Sequence, residues 1–119
     1  MKYMIMMFGS AAGMTEVKSP EWIKEMIGFM QQLDRDLTTS GELVFNLGLA
    51  DGSAAKTVRL ENGLPVATDG PFAESKESLI GYWVVDVENE ERVIEIAGQI
   101  VEYSGVVEIR PSPDAPPEV

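Results

Sequence analysis

Two short segments of this chain are apolar on both of their alternating faces. In residues 3 to 8, Tyr3, Ile5 and Met7 fall on one side of an extended backbone, and Met4, Met6 and Phe8 fall on the other. Residues 79 to 87, LIGYWVVDV, repeat the pattern. A strand of this kind must be covered from both sides. Each of the two faces therefore needs a cover.

One cover is helical. Ser19-Pro20-Glu21 reads as a helix start: serine caps, proline suits the first helical position, and glutamate in the first turn complements the dipole. Trp22, Ile23, Met26, Ile27, Met30, Leu33 and Leu37 then recur at helical spacing, and Gly41 ends the run. This predicts a helix over about residues 20 to 40, with its Met and Trp positions packed on a sheet. A second helix starts at Asn89, carries Glu90 and Glu91 in its first turn, buries Val93, Ile96, Ala97 and Ile100, and breaks at Gly105. Strands are expected where Leu43, Phe45, Leu47 and Leu49 alternate, at Lys56 to Leu60, at Pro65 to Thr68 and at Val106 to Arg110. Asn62-Gly63 is a hairpin signal joining the second and third of these, and Pro65 places the short strand at an edge. MKYMIMMFG has too short an apolar run for a signal peptide and reads as the first strand. No segment reaches the length of a membrane span.

The order strand, long helix, strand, hairpin, turn, strand, helix, strand is that of a ferredoxin-like α+β domain: a split β-α-β unit with an inserted β-hairpin, occupying residues 1 to 110. Residues 111 to 119 form a Pro-rich tail. Two helices cover only one face of such a sheet. The other face is expected to meet the same face of a second copy in a two-fold homodimer. An acidic residue at Trp83 or Val85, whichever faces the partner sheet, should split that dimer or unfold it.

Absences narrow the chemistry. The chain has no cysteine and no histidine. Disulfides, thiolate catalysis, imidazole metal sites and Ser-His-Asp arrangements are therefore excluded. Nine basic residues against twenty acidic ones give a net charge of −11, which opposes direct contact with nucleic acid or with an anionic membrane surface. A hard-cation site built from Asp69, Glu74, Glu77 and Asp86 follows no known loop spacing. No metal and no cofactor are expected.

The stretch TDGPFAESKESL, residues 68 to 79, carries the remaining chemistry. Asp69 before Gly70-Pro71 is a natural turn former, and its carboxylate can accept backbone N–H groups near Phe72 and Ala73. A second reading makes Asp69 an acid/base at a pocket between sheet and loops. In that pocket Gly70, Pro71, Phe72, Glu74, Lys76 and Tyr82 would contact a small molecule, with Lys76 holding an anionic group.

TDGPFAESKESLIGYWVVDV, with YMIMMFG before it and GVVEIRP after the second helix, resembles the DGPF branch of the YCII-related family over most of the chain. The resemblance implies the dimeric α+β barrel form of the ferredoxin-like fold and a bacterial, cytoplasmic protein. It also implies a link to transcription through a protein partner, since some DGPF members are fused to sigma factors or encoded near them. Many members of the wider family pair a histidine with an aspartate. This chain keeps Asp69 and lacks the histidine, which removes a His-Asp proton-transfer mechanism. The reading preferred from the residues is a small-molecule-binding or regulatory module. The alternative is a cofactor-independent enzyme acting through Asp69.

Overall fold

The structure, a computed structural model, describes residues 1–9, 18–71 and 78–115. Six strands and two helices follow one another as β1 (Lys2–Gly9), α1 (Pro20–Ser40), β2 (Leu43–Gly48), β3 (Lys56–Glu61), β4 (Leu64–Asp69), β5 (Ser78–Asp86), α2 (Glu90–Ser104) and β6 (Val107–Ser112). A single 3-10 turn, Gly52–Ala54, lies between β2 and β3. Four strands make one sheet in the order β2-β5-β1-β6, with every pairing antiparallel, and β3-β4 form a separate two-stranded hairpin. This is the ferredoxin-like α+β arrangement expected from the sequence. β6 runs through Pro111 and Ser112, two residues beyond its expected end.

The helix boundaries follow from their caps. Ser19 Oγ accepts the Trp22 N–H at 3.1 Å, and Asn89 Oδ1 accepts that of Arg92 at 2.9 Å. Both satisfy donors that a helix start leaves orphaned. At the other end of α1, Gly41 takes φ of 80° and its N–H bonds back to Leu37 and Thr38, a left-handed closure that suits glycine.

The register assigns each face. Tyr3, Ile5, Trp83, Val85 and Val87 turn toward the helices and form one core with Leu33 and Leu37 of α1 and Val93, Ile96, Ala97 and Ile100 of α2. Trp83 and Val85 thus lie on the helix side, so neither is the residue that would meet a partner sheet. The opposite face carries two rows that cross all four strands, Phe45–Val84–Met4–Arg110 and Leu47–Tyr82–Met6–Glu108, and beside them the polar row Asp86–Lys2–Ser112. Phe45 and Leu47 are 51% and 47% exposed. Strict alternation places Leu43, Phe45 and Leu47 on one face, but a bulge between Leu43 and Phe45 divides them. Leu43 packs on the helix-side core, and Phe45 and Leu47 turn to the other face. One extra residue in a strand reverses the sense of everything after it.

Among the described residues, the hairpin pairs with no strand of the main sheet. The radius of gyration is 16.7 Å, against about 13.5 Å for a compact chain of this length.

A side-chain clasp joins the helices across the start of β2. Arg92 Nε and Nη2 each donate to Glu42 at 2.8 Å in a two-pronged pair, and Ser40 Oγ donates to the same carboxylate at 2.8 Å. The guanidinium holds the Glu42 carboxyl below its ordinary range, against the opposing effect of burial. Its side chain is 17% exposed, so solvent screens the pair less than it would a surface pair. A carboxyl depressed in the folded state stabilises above its unfolded pKa and loses that contribution as pH falls through the folded value. Glu42→Gln is therefore expected to lower stability by on the order of 1 kcal/mol at neutral pH. The gap to the parent protein should shrink as pH falls below the ordinary glutamate range, which paired thermal melts across pH will read.

Candidate functional site

The hairpin root is built by its turn. Asn62 and Gly63 have φ of 50° and 80°, the two positive values that a two-residue hairpin of matching twist requires. The turn fixes the register from Glu61↔Leu64 down to Thr57↔Thr68 and Lys56↔Asp69. Asp69 thus ends β4 directly opposite Lys56, and the two form an ion pair. The Asp69 side chain is 85% exposed, so its charge is held by Lys56 across the hairpin, in water.

Gly70 follows with φ of 102°, where a side chain would be strained. Its N–H donates to the Ala55 carbonyl at 2.8 Å, and its carbonyl accepts the Thr57 hydroxyl at 2.7 Å. These bonds stitch the turn to the start of the facing strand, β3. On the other side, Asp51 Oδ2 accepts the Ser53 N–H at 3.1 Å and caps the 3-10 turn. Gly52 sits so close to Ser78 that an added Cβ would lie 2.8 Å from its hydroxyl.

Together these segments enclose a cleft of about 600 Å³ between the exit of β2, the hairpin root and the start of β5. Leu49, Ala50, Val58, Pro71 and Leu79 make it mainly apolar, and Asp51, Lys56 and Thr57 supply polar groups. It has the size and character of a small-molecule cleft.

The structure therefore brings Pro71 to a cleft and sets Gly70 and Asp69 at its margin. Tyr82 stands apart, on the sheet face away from the helices, with its ring 6.2 Å from that of Phe45. Phe72, Glu74 and Lys76 lie outside the described residues. Sequence reading passed over Lys56, Thr57 and Asp51. For Lys56 the signal was present: counting outward from Asn62-Gly63 places it opposite Asp69. The 3-10 turn carries no comparable pattern.

A split β-α-β sheet with two helices on one face and a DGP turn at the foot of an inserted hairpin defines a class of small α+β domain, and the family match agrees. The YCII-related domain covers residues 1–112, and the chain belongs to that family. It is also similar to an uncharacterized protein of Rhizobium meliloti (strain 1021), at 28% identity over 100 residues, which span 82% of this chain and 81% of that protein.

Because Asp69 and Lys56 pair in the open, Asp69→Asn and Asp69→Ala are each expected to cost about 0.2–1 kcal/mol. Most of that loss should vanish when Lys56 is already alanine. Gly70→Ala, which forces a side chain into positive φ, should cost more, about 1–2 kcal/mol. Denaturant titrations of the three single variants and of the Lys56 double variants check the ordering.

Proposed function

We propose that the protein is a bacterial, cytoplasmic homodimer that binds a small molecule in the cleft at the hairpin root, with Lys56, Thr57 and Pro71 contacting the ligand. The observation that carries this reading is the cleft itself, of about 600 Å³ and lined by Pro71 of the DGP turn together with Lys56 and Thr57. An apolar cleft with a few polar groups at its edge is suited to binding and orienting a small organic molecule. The enzyme alternative draws no support from an exposed carboxylate already paired with a lysine. The net charge of −11 directs any regulatory output through a protein partner rather than through DNA.

The dimer is supported by the uncovered sheet face. Its two apolar rows end on β6, where Arg110 and Glu108 pair at 2.9 Å, and the charged Lys2 and Asp86 border them at one end of the sheet. Water contact with apolar surface costs about 25 cal/mol per Å², and the same face of a second copy is the simplest cover. Val58 and Leu60 add exposed apolar surface on the hairpin.

Sedimentation of the wild-type protein should give a dimer at micromolar concentration. Val84→Asp, placed at the middle of the uncovered face, should give a folded monomer. Native mass spectrometry of the purified protein should find a bound small molecule, and Ala50→Phe, which fills the cleft, should release it. A wild-type monomer would remove the dimer from this reading. A ligand retained by Ala50→Phe would remove the cleft.

A further inference from the structure

A second cavity, of about 390 Å³, lies beneath α1 on the helix side of the sheet. Its origin is a gap in the side-chain layer. Gly48 of β2 pairs directly with Gly81 of β5, and Gly81 in turn with Met7 of β1. These positions fall one alternation before the Asn46–Trp83–Ile5 rung, so all of them face the helices. Two adjoining strands thus present bare backbone where the core would normally hold two side chains. Met26 and Met30 of α1 span the gap from above.

Neither backbone conformation nor crowding explains glycine at position 48. Its φ lies outside the positive region, and an added Cβ would meet no atom within 4 Å. Gly81 lies inside β5, where glycine weakens a strand and leaves the interior unfilled, and Gly48 ends β2 directly beside it. What glycine preserves at this position is the cavity. Gly48 is exposed and Gly81 is buried, so the cavity runs inward from the β2 edge.

Its polar end is specific. The Trp83 indole N–H donates to Asp34 Oδ1 at 3.2 Å, which fixes the carboxylate at the cavity wall beside Asn46. Among the described residues, no lysine or arginine lines the cavity, and none pairs with Asp34. An anionic ligand would meet an uncompensated carboxylate. A neutral apolar ligand would desolvate that carboxylate without replacing its partners. An ammonium group on a short apolar body satisfies the carboxylate, and the methionines and the indole form a polarisable wall around the rest.

We propose that this cavity, floored by Gly48 and Gly81, is a binding site for a small organic amine, with Asp34 as the counter-charge and Met7, Met26 and Met30 enclosing the apolar part. It shares no described residue with the cleft at the hairpin root, so the two sites stand or fall separately.

The test uses the full chain carrying Trp22→Phe, which leaves Trp83 as the sole tryptophan, since the chain has two. Titration with phenethylamine below its pKa should change Trp83 fluorescence saturably. 2-Phenylethanol, lacking the charge, should bind about tenfold more weakly or worse, and phenylacetate should not bind. Gly48→Val should abolish amine binding while preserving the far-UV spectrum. Should that variant fail to fold, Gly48→Ala, whose Cβ enters open space, should still weaken binding. Asp34→Asn should make amine and alcohol bind alike, and Ala50→Phe should leave amine binding unchanged. Absence of saturable amine binding, phenylacetate binding as tightly as the amine, or Gly48 variants that fold and bind like the parent would each overturn the proposal.

Discussion

Everything in this molecule is hung on the antiparallel pairing of β1 with β5. Ile5 and Val85 sit at the centre of that pairing and are fully buried. Both strands are apolar on each face, so the pair has no side to turn toward water. The helix side is closed by α1 and α2, and the amphipathic spacing of Leu33, Leu37, Val93 and Ile100 is the complement of that face. The flanking strands β2 and β6 then complete the sheet's edges. They differ in kind: β2 carries the apolar Phe45 and Leu47 away from the helices, whereas β6 carries Glu108 and Arg110. One side of the sheet is thereby graded from apolar to charged across its width.

The helices are tied to each other by chemistry of a different sort. The Glu42–Arg92 pair links the residue after the α1 cap to the first turn of α2. At the other ends of the helices, Tyr103 packs against Phe29 with ring centroids 4.8 Å apart, and against Trp22 at 5.7 Å. A charged clasp at one end and an aromatic cluster at the other fix the angle between two elements that the sheet alone would leave free to slide.

Much of this order was legible in the sequence because it rests on local rules. Caps at Ser19 and Asn89, the stop at Gly41 and the Asn62-Gly63 turn are set by residues within a few positions of each other. Faces were harder. In β5 both Tyr82 and Trp83 are large and apolar, so alternation alone could not say which one meets the helices. The Trp83–Asp34 bond, across 49 positions, decides the matter, and no local pattern reveals it. The bulge between Leu43 and Phe45 was equally hidden, since an extra residue leaves the hydrophobic string unchanged while inverting its meaning. Asp69 drew attention through its motif, yet its partner Lys56 lies on the opposite strand and emerges only when the hairpin register is counted out. Gly48 and Gly81 lie 33 positions apart and carry no sequence signal of each other. Their alignment, which opens the cavity, is a property of the pairing and of neither segment alone.

The separateness of the β3–β4 hairpin divides the molecule into two units of unequal cooperativity. A two-stranded ribbon on its own is marginal in water. Its amides should therefore exchange with solvent through local openings that leave the four-stranded sheet intact. The hydrogen bonds from Gly70 and Thr57 lie at the seam between these units, as does the cleft. Whatever occupies that seam draws on the opening equilibrium of the hairpin, so occupancy and hairpin order are thermodynamically linked. A solute held there would slow exchange along β3 and β4, as far as the Asn62-Gly63 tip, without touching most of the residues it protects.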